Sequence, residues 1–387
     1  MPTADPALST AKLPERLRVV RLVPALDFGG VESRITLQAA LHSRKLFDLR
    51  VATLGRAGNA ADAVRQKGVG VDVLEQPASV RNAGTTLALA RYLRRVRPHI
   101  LHSSIVEANF HAILASLGAR PRVLITEEVG VPSHKAAARL AFRLLYARCQ
   151  AVIGVTQAVC DYVTQVDGCA PDRVRLVYNC AGPDYFPERP APRAPRDPGR
   201  PFRLLAVGRL VPVKNHETLL RAFAVVARRH PDVRLAIAGS GPLEGQLRSI
   251  SESLGLQRHV EWLGFRSDVR ALLATADAFV LPSHSEGCSI SLIEAMATGV
   301  PALGSRVPGI LEVLGPTAHG NTAPAADVAA WVNLLDRFVT LDARELAQIA
   351  EQSQRRAYEL FSPKAYVRRL ETLYRELFAQ SGPTPQH

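Results

Sequence analysis

The sequence predicts an α/β protein built from two doubly wound domains with parallel sheets, and three observations carry that expectation. Short apolar runs alternate with amphipathic stretches along nearly the whole chain, a proline-rich interval splits the alternation in two, and 387 residues suffice for two domains that each bury a core. The first series of strand-like runs reads RVVRLV, DLRVATL, VDVLEQ, HILHSS, RVLITEE, AVIGVT and VRLVYN, between Leu17 and about Gly182. The interval PERPAPRAPRDPGRP, residues 187–201, is too rich in proline for a regular element and reads as a linker. A second series follows as FRLLAVG, VRLAIAGSG, VEWLGF, AFVLP and VPALGS. Residues 1–16, MPTADPALSTAKLPER, lack the charged-then-apolar layout of a signal peptide and read as a disordered tail.

Composition narrows the classes. No apolar run approaches the roughly 20 residues needed to span a bilayer, so a cytoplasmic protein is expected. The five cysteines, Cys149, Cys160, Cys169, Cys180 and Cys288, form no close pair, which indicates neither a disulfide framework nor a zinc site. They read as buried small hydrophobes. The net charge is +13, and residues 1–186 hold 24 basic and 15 acidic side chains, whereas residues 202–387 hold 20 and 18. The excess therefore sits in the first domain, as an anionic acceptor or a membrane surface would require. Nucleic acid is disfavoured: only 6 of the 48 basic residues are lysine, an arginine bias that a GC-rich genome writes by default, and no recognition-helix or aromatic-platform motif is present.

The stretch EGCSISLIEAMATGVP, residues 286–301, concentrates the chemistry. After the strand-like run Ala278–Leu281 it reads as a loop and then an amphipathic helix over Ser289–Thr298, stopped by Gly299. In such a unit the amides of Gly287, Cys288 and Ser289 point at the helix mouth, where the dipole favours an anion such as a diphosphate. Glu286 then lies beside the anion, and Glu294, more than a turn into the helix, can accept from the hydroxyls of a neighbouring sugar ring. Two further cations suit a diphosphate, the planar fork of Arg209 at the end of FRLLAVG and the point charge of Lys214 five residues on.

The 286–301 segment resembles the paired-glutamate signature of the retaining glycosyltransferase family 4, whose members have the two-domain GT-B fold. The other landmarks of that family occur in order. Gly208-Arg209-Leu210 with Lys214 is similar to its strand end and lysine; DFGGVESRI, residues 27–35, resembles its Gly-Gly-x-Glu loop; and GSGPLEGQL, residues 239–247, resembles its glycine loop beneath the nucleotide. The resemblance implies two Rossmann-like domains facing across a cleft: an acceptor-side domain over residues 17–186, a nucleotide-sugar domain over 202–361, and a C-terminal helix in 362–387 crossing back to the first domain. It implies that Arg209, Lys214 and Glu286 serve catalysis. Donor contacts would come from Glu294, Gly287, Cys288, Ser289, Gly29, Gly30, Gly239 and Gly241, and from the backbone at Gly264 and Phe265. On the acceptor side it points to His102 and, more weakly, His111. Where many family members carry a histidine after the fifth strand, this chain has Glu127 and Glu128, of which Glu128 matches the position better.

The implied activity is transfer of a sugar from a UDP- or GDP-linked donor to an acceptor hydroxyl with retention at the anomeric carbon, in the assembly of cell-surface polysaccharide or lipopolysaccharide. No cofactor is implied, and the lack of an Asp-x-Asp motif implies metal independence. Rival readings are a sugar-nucleotide 2-epimerase on the same scaffold and a non-catalytic nucleotide-sugar-binding subunit. A saccharide or lipid-linked acceptor is the expected second partner. The helix HKAAARLAFRLLYARC, His134–Cys149, sets Lys135, Arg139, Arg143 and Arg148 beside Leu140, Phe142, Leu144, Leu145 and Tyr146, a pattern suited to peripheral contact with anionic lipid at the inner face of the plasma membrane.

Overall fold

The computed structural model describes residues 14–27, 30–129, 136–188 and 199–381. The predicted tail therefore lies outside the described residues up to residue 13, as do Gly29, most of the linker (189–198), His134 and Lys135.

The described chain divides into two compact units. One comprises residues 1–178 with 363–387, the other residues 179–362. The first unit holds seven strands: β1 Leu17–Val23, β2 Phe47–Thr53, β3 Gly70–Val73, β4 Ile100–Ser104, β5 Val123–Glu128, β6 Ala151–Gly154 and β7 Val174–Leu176. Between them run α1 Gly30–Leu41, α2 Ala60–Gln66, α3 Ala83–Val96, α4 Val106–Ala119, α5 Ala136–Tyr146 and α6 Gln157–Gln165. The second unit holds β8 Phe202–Val207, β9 Val233–Ala238, β10 Val260–Gly264, β11 Ala278–Leu281, β12 Ala302–Ser305 and β13 Thr322–Ala323. Its helices are α7 His216–Arg229, α8 Glu244–Ser253, α9 Val269–Thr275, α10 Ile290–Ala297, α11 Pro308–Leu314, α12 Val328–Thr340 and α13 Ala343–Leu360. The last helix, α14 Pro363–Gln380, belongs to the first unit.

Every strand pairing is parallel, in the orders β3-β2-β1-β4-β5-β6-β7 and β10-β9-β8-β11-β12-β13. Strands such as β4, β5, β6 and β11 are buried along their whole length, because helices cover both faces of the sheet, and this is why they read as continuous apolar runs rather than alternating ones. The order reverses between β1 and β4 in one sheet and between β8 and β11 in the other. At such a switch point the loops leaving the carboxyl ends of the two strands diverge and leave a crevice for a ligand.

The first unit ends at Tyr178 rather than at residue 186, because the next residues make their bonds within the second unit. Asn179 Nδ2 donates to the carbonyl of Cys288 at 2.8 Å, and the Tyr185 hydroxyl donates to Glu294. The C-terminal helix is tied to the first unit through Tyr374, whose hydroxyl lies 2.7 Å from His102 Nδ1 and 3.3 Å from Gln38 Nε2. All five cysteines are buried, and none is in a disulfide.

Candidate active site

At the switch point of the second sheet, the loop after β8 carries Arg209 and Lys214, and the loop after β11 carries Glu286. Lys214 ends a single 3-10 turn, Pro212–Lys214, and is followed by Asn215 at φ +53°. That left-handed turn is held by the Asn215 side chain, whose Nδ2 donates to the carbonyls of Pro282 (3.0 Å) and Ala325 (2.7 Å) while Oδ1 accepts from Thr218. The amide of His284 donates to the Val213 carbonyl at 2.8 Å, which stitches the two loops together. Lys214 Nζ thereby comes to 2.6 Å from Glu286 Oε1, and Ser283 Oγ donates to the same oxygen at 2.6 Å. Arg209 is exposed, and its guanidinium makes no hydrogen bond or ion pair with any described residue.

The loop 286–289 leads into α10. Ser289 stands at the N-cap without capping the first turn through its side chain; its hydroxyl lies 3.3 Å from that of Ser291. Cys288 and Ser289 are buried and Gly287 half-buried. Glycine at 309, in the first turn of α11, lets that helix press on this loop: a Cβ there would lie 2.1 Å from the Gly287 carbonyl oxygen and 2.2 Å from that of Glu286. Gly299, at φ +69°, ends α10. Glu294 is largely enclosed, and burial pushes its carboxyl up to about 7 against the opposing hydrogen bond from Tyr185.

Gly239 and Gly241 each stand where another stretch of backbone comes close. Gly239 has φ +151°, and a Cβ on it would lie 1.8 Å from the carbonyl oxygen of Gly208; a Cβ on Gly241 would lie 2.4 Å from that of Leu210. The close approach is between the loops after β9 and β8, fixed by Leu210 N donating to Ser240 O at 2.9 Å, and it shapes the backbone that carries Arg209. Gly264 closes β10 at φ +63°, its carbonyl accepting from Gly239 N at 2.7 Å, and Phe265 beyond it is 70% exposed. Gly30 opens α1 in the first unit; Gly29 lies outside the described residues.

In the first unit the acceptor-side expectations separate. His102 is fully buried: Arg21 Nη1 donates to its Nδ1 at 2.8 Å, which leaves the ring proton on Nε2, 3.4 Å from Glu127 Oε2. Burial and the Arg21 charge hold its pKa down at about 4, so the ring is neutral. Glu127 accepts from Arg34 through Oε1 and from Arg21 (3.2 Å) and Ser104 (2.6 Å) through Oε2. Burial opposes its charge, but Arg34, His102 and Arg21 hold its carboxyl well below the usual range. The Arg34 guanidinium also lies over the Tyr366 ring at 5.9 Å. His102 and Glu127 are thus members of a buried ion cluster with Arg21, Arg34, Ser104 and Tyr374 of α14, and their side chains are engaged within it. His111 is likewise engaged, with Thr86 Oγ1 at 2.8 Å from Nδ1 and the Ser79 carbonyl at 3.1 Å from Nε2.

Glu128 differs from its neighbour. It accepts from Asn109 Nδ2 at 2.9 Å and from Tyr146 Oη at 3.0 Å, both through Oε1, so Oε2 has room for a further donor. Burial pushes its carboxyl up to about 7, against those two bonds and with the nearby charge of Asp167 adding to the rise. Residues that sequence reasoning missed are Tyr185 on Glu294, Ser283 on Glu286, and Asn179 on the Cys288 carbonyl. Each lies in a turn with no local pattern; the one available signal was the polar Asn179 directly after the strand-like run VRLVY. Among the described residues no group of three or more His, Cys, Asp or Glu side chains is placed to hold a metal ion.

Two parallel Rossmann-like sheets with this strand order, and with the polar loops gathered at a switch point, define the GT-B fold. Residues 28–185 match the domain model "Glycosyltransferase Family 4" and residues 189–356 match "Glycosyl transferases group 1". Between them the two models span most of the chain, which belongs to the glycosyltransferases of this fold. The chain is 31% identical over 195 residues to "Putative colanic acid biosynthesis glycosyltransferase WcaL" of Escherichia coli, covering 48% of each chain. It is 31% identical over 173 residues to "N-acetyl-alpha-D-glucosaminyl L-malate synthase" of Bacillus anthracis, covering 44% of each. The chain spans about half the length of the curated relatives it matches. Among solved structures, HepE of Anabaena in complex with UDP and glucose superposes with a TM-score of 0.77 at 18% identity, covering 93% of this chain and all of that one. The lipopolysaccharide outer core galactosyltransferase WaaB superposes at 0.72 and 17%, covering 93% of this chain and 99% of that one.

Proposed function

We propose that this protein transfers a hexosyl-type group from a nucleoside diphosphate sugar to an acceptor hydroxyl, with retention at the anomeric carbon. The observation that carries the reading is the Lys214–Glu286 pair, which joins the loop after β8, the one that also carries Arg209, to the loop that leads from β11 into α10. The hard step is departure of the diphosphate while positive charge grows on the sugar. Arg209, Lys214 and the amides of Gly287, Cys288 and Ser289 stabilise the leaving group; Glu286 orients the sugar; and Glu294, steadied by Tyr185, holds the ribose. The new bond from the acceptor oxygen to the anomeric carbon forms on the face from which the diphosphate leaves, and a diphosphate oxygen takes the acceptor proton, so no side-chain base is required. Fixed cations neutralise the diphosphate without a bound metal. On the acceptor side Glu128 presents Oε2 to a sugar hydroxyl.

The relatives named for colanic acid and lipopolysaccharide core assembly support a role in making cell-surface polysaccharide, and the neighbour solved with UDP supports a UDP-linked donor. An anionic lipid-linked acceptor at a membrane surface is supported by α5, where Leu140 and Leu144 are 64% and 65% exposed beside the exposed Arg139 and Arg143. Among the described residues no helix is long and apolar enough to cross a membrane.

The test is a screen of nucleoside diphosphate sugars for nucleoside diphosphate release, with and without a lipid-linked acceptor, followed by NMR of the anomeric centre of the product. Acceptor-dependent release with retention is expected. Acceptor-independent formation of an epimer would replace the transferase with the epimerase reading, and binding without any turnover would leave a nucleotide-sugar-binding subunit.

A further inference from the structure

A cavity of about 490 Å³ with a mixed apolar and arginine-rich lining lies in the second unit at the amino-terminal ends of β8, β9 and β10. With a rise of about 3.3 Å per residue, these strands of five or six residues place it roughly 15–20 Å from the carboxyl ends that carry the proposed nucleotide-sugar loops. Four arginines line it: Arg200 before β8, Arg203 in β8, Arg234 in β9 and Arg258 just before β10, with His259 and Glu261 beside them. Arg203 and Arg234 are register partners on neighbouring strands, so both side chains stand on one face of the sheet. Like charges set side by side in this way cost stability unless an anion lies between or over them.

The carboxylates at hand do not meet that need. Asp277 is taken by Arg200, which grips it in a two-pronged pair at 2.7 and 2.6 Å, and by the backbone amide of Arg203 at 2.8 Å. Among the described residues, Glu261 is the one acidic residue in the lining. Arg234 Nη1 donates to the carbonyls of Pro231 (2.7 Å) and Val233 (2.8 Å), neutral acceptors that hold the guanidinium in place without cancelling its charge. Arg203 and Arg258 are exposed, and their guanidinium groups make no hydrogen bond or ion pair with any described residue. Among the described residues, four guanidinium groups against two carboxylates leave a net excess of two positive charges around a space within the usual size range of small-molecule sites.

From this juxtaposition we propose that the cavity at the amino-terminal edge of the second sheet binds a small molecule carrying a phosphate or diphosphate group. The planar forks of Arg203 and Arg258 supply paired donors to the phosphate oxygens, and Arg234 supplies charge from the floor. The site is separate from the nucleotide-sugar loops, and the proposal does not rest on the transferase reading.

Isothermal titration of the full chain with inorganic pyrophosphate, with and without saturating UDP, tests it. A pyrophosphate site that persists under UDP is expected, weakened at least tenfold in the Arg203→Ser/Arg258→Ser double variant and retained in Arg209→Ala. A melting temperature at or above the parent's, as relief of the like-charge pair predicts, and an unchanged UDP affinity in the double variant separate loss of the site from loss of fold and read the proposed nucleotide-sugar site independently. Pyrophosphate binding fully displaced by UDP, or unchanged in the folded double variant, would overturn the proposal.

Discussion

Lys214 Nζ lies 2.6 Å from Glu286 Oε1, a pair made by residues 72 positions apart in the chain. Both side chains are largely enclosed, 19% and 10% exposed, so the pair is screened less than a surface ion pair. On the proposed reading, a diphosphate arriving at this point would compete with Glu286 for the lysine, and Ser283, which donates to the same glutamate oxygen, would keep Glu286 partnered as the lysine turned.

Removing either phosphate cation should be expensive. Arg209→Ala and Lys214→Ala are each expected to lower turnover about 100-fold or more with the fold intact, since each deletes a charge facing the leaving group at a cost of several kcal/mol. Steady-state kinetics alongside a melting curve checks this; near-parent turnover in both variants would remove these residues from the chemistry.

The two glutamates should separate by what they affect. Glu294→Ala is expected to weaken UDP binding, whereas Glu286→Ala spares it and impairs transfer. Ribose hydroxyls donate, so they favour the ionised carboxylate, and with Glu294 at about 7 the affinity for UDP-glucose should rise between pH 6 and pH 8. Titrations across that range should show the dependence in the parent and lose it in Glu294→Gln. Equal loss of nucleotide affinity in both alanine variants would mean the two side chains have exchanged roles.

Glu128 predicts a pH effect on stability. Its carboxyl sits at about 7 in the folded chain against 4.5 when free. As pH climbs above 4.5 the unfolded chain releases the proton while the folded chain keeps it, so this residue's contribution falls with rising pH until about 7. The full effect is on the order of 3 kcal/mol. Glu128→Gln keeps an acceptor for Asn109 and Tyr146 and carries no charge, so it should melt above the parent at pH 8, with the gap narrowing at pH 5. A gap that widens on acidification would contradict the burial argument.

Chelation should leave turnover largely unchanged, because in the proposed mechanism Arg209 and Lys214 supply the positive charge to the diphosphate. Assays with excess EDTA check this, and a complete loss that magnesium restores would sink the metal-free reading.

Vesicle binding addresses the acceptor side. The protein should co-sediment with vesicles containing anionic lipid, release them as added salt shortens the Debye length below about 8 Å, and bind less when Arg139 and Arg143 are changed to glutamate. Indifference to anionic vesicles at low salt, with efficient transfer to a free soluble sugar, would discard the membrane half of the reading and leave the transferase half standing.

Local pattern determined a great deal here. The spacing of apolar residues marked the strands, Gly299 marked the end of α10, and the order of FRLLAVG, Lys214 and the 286–301 segment pointed to the loops that meet at β8 and β11, because strand propensity and turn chemistry act over a few neighbouring residues. Tertiary structure alone decided what each polar side chain touches. The run HILHSS gives no sign that His102 is sealed by Arg21 from β1 and Tyr374 from α14, the latter 272 residues away, nor does TEE reveal that Glu127 is claimed by two arginines while Glu128 keeps an oxygen free. Likewise the glycines at 239 and 241 signal only that backbone comes close, and the packing of the loops after β8 and β9 settles against what. A side chain's role depends on burial and on partners brought from distant parts of the chain, and those are set by how the sheets and helices pack rather than by the residues beside it in sequence.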